Sequence, residues 1–111
     1  MERGLKRRYP RAKIEWPVSI SINRVLMERA TLNVSLAGAF ISSRNPLNQY
    51  EIFDLIISSP DRHIKTKVEV VWSNSHYTSL GDIHHGMGVR FLKIQDSDLD
   101  YLTNVISEYN K

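Results

Sequence analysis

The sequence contains no cysteine, so it can hold no disulfide framework and perform no thiolate chemistry. This absence fits a reducing, cytoplasmic setting, which is the expected location. No apolar run approaches the ~20 residues needed to cross a bilayer, so no membrane insertion is expected. The N-terminus is basic, but no apolar stretch follows its charges, so it does not read as a secretory signal. Internal repeats, linkers and low-complexity segments are also missing. What is present is ordinary for a globular chain: 111 residues, 41% hydrophobic and 24% charged. That length predicts one domain around one modest core.

Charge is unevenly placed. The chain has 15 Lys and Arg against 12 Asp and Glu, for a net charge of +3. Residues 1–13 hold six of the basic groups and one acidic group, leaving nine basic and eleven acidic groups for the remainder. The arm is cationic and the body close to neutral. Such a distribution suits local capture of an anionic partner better than coating by a polyanion. A solvated basic tail is the alternative on charge alone.

The patterning is mostly that of strands. Ile14, Trp16, Val18, Ile20 and Ile22 alternate with more polar neighbours, which predicts a half-buried strand. Pro17 within it suggests an edge or a bulge. Asn23-Arg24 reads as a turn. Leu26, Ala30, Leu32 and Val34 then share even positions and predict a second strand. Ala37–Ser42 reads as a third, ended by Asn45-Pro46, and Ile52–Ile57 as a nearly continuous apolar fourth. Ile64, Thr66, Val68, Val70 and Trp72 alternate again, which places Trp72 in the core or on a barrel rim. A polar stretch, Ser73 to His85, precedes a last strand at Met87, Val89 and Phe91. The period then becomes helical over about 97–109, through Leu99, Leu102, Val105, Ile106 and Tyr109, with Ser97 and Asp100 matching a capping box. Six strands without intervening helices, followed by one helix, predict an all-β chain with a C-terminal helix. Its sheet is antiparallel and closed or nearly closed into a barrel. The expected division is a basic arm over 1–12 and one barrel domain over 13–111.

Two short segments carry chemistry. Arg7-Arg8-Tyr9-Pro10-Arg11 sets two guanidinium groups four residues apart. Pro10 fixes its own φ and disfavours helix at Tyr9, so the arm is extended or turned. An extended step of this length spans ~13 Å, enough to grip two ends of a compact dianion. The planar arginine fork matches phosphate and the O6/N7 edge of guanine. Asn33-Val34-Ser35-Leu36-Ala37-Gly38 is the second segment. With Leu32 and Val34 facing inward, Asn33 and Ser35 face outward together, ~7 Å apart. Their amide and hydroxyl suit a purine. Gly38 supplies positive φ or close backbone approach to a flat ligand. A hairpin turn explains the same residues without a ligand.

RxxxR at Arg7 and Arg11, followed 22 residues later by NxSxxG at Asn33, Ser35 and Gly38, resembles the PilZ domain family. Val70-Val71-Trp72 and Gly86-Met87-Gly88-Val89-Arg90-Phe91 resemble that family's later strands. The resemblance covers nearly the whole chain. It implies a six-stranded antiparallel barrel of the split-barrel type and a receptor for the bacterial second messenger cyclic di-GMP. It implies that Arg7 and Arg11 hold phosphates and guanine Hoogsteen edges, that Asn33 and Ser35 contact guanine, and that Gly38 keeps the floor open. Lys6, Arg8, Tyr9 and Arg90 are secondary candidates. Lys6 stands where a basic residue in the family is linked to taking a stacked pair of ligand molecules.

The expected function is therefore a cyclic di-GMP receptor whose arm orders on binding and signals to a downstream protein. Alternatives are a nucleic-acid-binding barrel with a basic arm and a PilZ-like adaptor that binds no ligand. Nucleic acid is the disfavoured partner. No enzyme is expected, since Ser35 lies in no Gly-x-Ser-x-Gly elbow and has no evident base. No metal or cofactor is expected either, because His84-His85 lacks further zinc ligands.

Overall fold

The computed structural model describes residues 10–74 and 85–111. Six strands precede one helix: β1 (Pro17–Ile22), β2 (Val25–Val34), β3 (Gly38–Ser42), β4 (Ile52–Ser58), β5 (His63–Asn74), β6 (Gly86–Lys93) and α1 (Asp96–Tyr109). All pairings are antiparallel, and the sheet closes as a barrel in the order β1-β2-β3-β6-β5-β4. Closure through β1 and β4 leaves the sheet no free edge. Pro17 accordingly sits on no edge. It is the first residue of β1, where its missing N–H removes no bond from the strand interior.

Asn23 and Arg24 join β1 to β2 with φ of 50° and 66°. Two consecutive left-handed residues make a type I′ turn, whose twist matches that of the flanking strands. This register reverses the expected parity of early β2. Met27 lies opposite Ile20 and packs against the core, whereas Leu26 lies opposite Ser21 and is 66% exposed. Ala30 shares the outer face with Leu26. Thr31 is fully buried, accepting a hydrogen bond from the Trp16 N–H at 2.9 Å and donating to the Ile14 carbonyl at 2.7 Å. The register then slips between Thr31 and Asn33, leaving Leu32 as the bulged residue. Val34 thereby returns to the interior. The even-position pattern holds only past that bulge.

The interior is filled by alternating residues of every strand, including Val18, Ile20, Ile41, Leu55, Ile57, Ile64, Val68 and Val70. In β4 the apolar run splits by parity: Phe53, Leu55 and Ile57 are buried, and Ile52 is exposed. Ala12 also belongs to the core. It is fully buried and exchanges two hydrogen bonds with Val34, each 2.9 Å.

The helix adds Leu102 and Ile106 to the same core. It begins one residue before the expected start. Gln95 is its N-cap and supplies no side-chain bond, so the Ser97 capping box is not formed. Asp98, in the first turn, is buried and paired with Arg62 of the β4–β5 turn at 3.0 Å. Arg62 also lies 4.9 Å over the Tyr101 ring, and Tyr101 stacks on Trp16 at 6.5 Å. Tyr109, expected on the apolar face, is exposed, and Lys111 pairs with Glu108. Among the described residues, no helix is long and apolar enough to cross a membrane.

Arg24→Gly tests the hairpin. A left-handed non-glycine residue costs about 1–2 kcal/mol, and glycine's extra unfolded-state freedom returns about half of that. Urea denaturation should show the variant more stable by about 0.5–1 kcal/mol, with an unchanged m-value.

Candidate functional site

The outer faces of β2, β3, β6 and β5 carry two cross-strand rows. In the first, Asn33 lies opposite Phe40, Phe40 opposite Gly88, and Gly88 opposite Trp72. In the second, Gly38 lies opposite Arg90, and Arg90 opposite Glu69. With no side chain at Gly38, a hollow of about 160 Å³ opens between the rows, lined by Arg11, Asn33, Ser35, Gly38, Phe40, Trp72 and Arg90 among others.

Each wall has a local cause. Ala12 points into the core and pairs with Val34, so alternation turns their neighbours Arg11 and Asn33 outward onto one face. Among the described residues, neither the Arg11 guanidinium nor the half-buried Asn33 amide has a hydrogen-bond partner. Arg11 is exposed and Asn33 half-buried, so both can bond to solvent or to a ligand entering the hollow. Arg90 differs, because its Nε and Nη2 both reach Glu69 Oε1 at 2.7 Å.

The aromatic wall was not legible as such. Trp72 follows the alternation of Val68 and Val70, which predicted core or rim. The register slips between Val70 and Trp72, with Val71 bulged, and the indole is carried to the outer face, 45% exposed. There it stacks on Phe40 with ring centroids 5.1 Å apart and planes 20° from parallel. Gly88 lies beneath them; a Cβ there would overlap the indole Nε1. The signal available in sequence was Gly88 itself, a strand glycine, which marks a bulge or a close approach.

Ser35 departs from expectation. Strand β2 ends at Val34, so alternation does not extend to Ser35, which is 7% exposed rather than outward beside Asn33. Its hydroxyl oxygen accepts from the N–H groups of Ala37 at 3.1 Å and Gly38 at 3.3 Å, and its own N–H donates to the Gly38 carbonyl at 2.8 Å. Ser35 thus does the turn work that was its alternative reading, and in doing so sets Gly38 under the hollow. Arg7, together with Lys6, Arg8 and Tyr9, lies outside the described residues. So does His84, and among the described residues no group of three potential ligands is placed to hold a metal.

The family model for the PilZ domain matches residues 5–108. The chain belongs to the PilZ domain family. Among solved structures, this PilZ chain is similar to the Bacillus subtilis inhibitor of motility MotI/DgrA, with a TM-score of 0.77 and 19% identity over 92% of its own length. It spans 50% of the length of MotI/DgrA. It is also similar to the PilZ domain of YcgR from Escherichia coli, a structure with c-di-GMP, with a TM-score of 0.73 and 15% identity, covering 95% of this chain and 92% of that one. At these identities the likeness shows the fold. No curated protein sequence matches the chain.

The NxSxxG glycine of this PilZ domain has a structural requirement of its own. No left-handed φ is involved; a Cβ at Gly38 would overlap the backbone carbonyl oxygen of Val89 on β6. Backbone cannot yield as a flexible side chain does, so β3 and β6 would have to part. Gly38→Ala should therefore destabilise the barrel by about 1–3 kcal/mol in urea denaturation. A variant of unchanged stability would show that β6 shifts freely.

Proposed function

We propose that this chain is a cyclic di-GMP receptor, not an enzyme, and that it passes the signal to a separate protein. One observation carries the reading. In a PilZ domain, the polar groups of Arg11 and Asn33, without a hydrogen-bond partner among the described residues, converge with Arg90 on one hollow whose floor is Gly38. The groups there are donors and aromatic faces, fitted to guanine edges and phosphate oxygens. None is a base placed to activate a nucleophile, so the chemistry on offer is recognition.

Size bears on the arm. Sites for small ligands ordinarily enclose at least about 300 Å³, against about 160 Å³ here. In this proposal the hollow is one side of the site, and the RxxxR segment supplies the other through Arg7, four residues before Arg11. Arg11 adjoins the Ala12–Val34 bridge, and the proposed ordering of the arm on ligand begins beside it. Ordering it costs backbone entropy, which charge-assisted hydrogen bonds to phosphate must exceed. The closed arm and the ligand together form a surface absent from the empty barrel, and this surface meets the partner.

Isothermal titration with cyclic di-GMP, with GTP and a single-stranded oligonucleotide as controls, tests the reading. The cyclic dinucleotide should bind and the controls should not compete. Arg11→Ala should weaken binding by about 5- to 200-fold, the equivalent of about 1–3 kcal/mol for one bidentate contact. An unchanged affinity would remove Arg11 from the site. Preferential binding of the oligonucleotide, falling steeply with salt, would replace the receptor with a nucleic-acid-binding barrel.

A further inference from the structure

We infer that Glu69 is a positioning residue that holds Arg90 ready for the acceptor edge of a guanine, so that this pair sets base specificity. The inference rests on the cyclic dinucleotide reading of the site and adds to it a residue outside the two sequence motifs.

Glu69 and Arg90 are directly opposed on β5 and β6. The carboxylate is the more buried partner, its side chain 20% exposed against 56% for Arg90. Both Nε and Nη2 converge on a single oxygen, Glu69 Oε1. Two donors on one acceptor fix the guanidinium plane. They leave Nη1 and the outward N–H of Nη2 without a partner among the described residues. Arg90 lines the hollow; Glu69 does not. The carboxylate therefore acts from behind the arginine.

Charge decides what those outward donors are for. The pair is net neutral, so it adds little field to attract a phosphate, and a phosphate brought to Arg90 would also meet the Glu69 carboxylate. A base edge carries no net charge and escapes that repulsion. Guanine offers O6 and N7, two acceptors matched to an arginine fork, whereas adenine offers an N6 donor in place of O6. The Phe40–Trp72 stack stands beside Arg90 across Gly88, giving a planar base an aromatic wall next to the donors. Lysine at position 90 would supply charge without a plane to fix.

The experiment measures binding of cyclic di-GMP and cyclic di-AMP, identical in phosphates, to the wild type, Glu69→Gln, Arg90→Ala and the double variant, with thermal unfolding as the check on folding. Each single variant should reduce the preference for cyclic di-GMP over cyclic di-AMP by at least about fivefold. The double variant should lose no more than Arg90→Ala alone, because the two residues act as one unit. Glu69→Gln that tightens both ligands equally would show that the carboxylate merely opposes phosphate, and would overturn the inference. Additive losses would do the same, as would an unchanged preference in folded Arg90→Ala. A wild type that binds neither ligand overturns the receptor reading, and this inference with it. Binding by the wild type with any of the contrary variant patterns overturns this inference alone.

Discussion

Strict alternation in a closed barrel leaves few ways to present new side chains on the outer wall, and the site depends on two places where alternation is broken. Leu32 in β2 and Val71 in β5 are each one residue too many for the opposing strand. The first bulge lets Thr31 and Val34 both face the core, three positions apart, with Asn33 outside. The second lets Val70 stay buried while Trp72 turns out. Bulges kink a strand and re-aim side chains, and they recur beside functional sites for that reason. Here the two lie on either side of β3 and β6, so the re-aimed residues become opposite walls of one hollow.

Between those walls the structure removes side chains instead of adding them. Gly38 and Gly88 occupy outward positions on adjacent strands, one flooring the hollow and the other lying flat beneath the indole. The polar groups around them fall into two kinds. Arg11 and Asn33 have no hydrogen-bond partner among the described residues, whereas Ser35 bonds within its turn and Glu69 bonds to Arg90. Bonds already made around a hollow lower the ordering cost that any binding there would otherwise meet.

The helix is secured by a different set of contacts, none of them from residues that line the hollow. Arg62 joins Asp98 and the Tyr101 ring, and Tyr101 in turn meets Trp16. This explains why the buried acid in the first turn is tolerated without a side-chain cap: its charge has a partner. The helix period in the sequence was clear, but its first residue was not. A capping box is a local signal, and the Arg62 pairing comes from 36 positions away in the chain.

Local rules determined much of this protein. Period-two and helical patterning predicted six strands and one helix, Asn23-Arg24 the first hairpin, and the two polar motifs the candidates Arg11, Asn33 and Gly38; that these share one face took the Ala12–Val34 pairing. Their reach is a few residues, because propensity and alternation are properties of neighbouring φ and ψ. Register across strands is not such a property. Only the tertiary structure decided that Leu26 faces water, that Trp72 leaves the core, that Ser35 serves its turn, and that Glu69 stands behind Arg90. In each case the deciding partner lies on another strand or beyond a turn. A one-residue slip there inverts which face a side chain occupies.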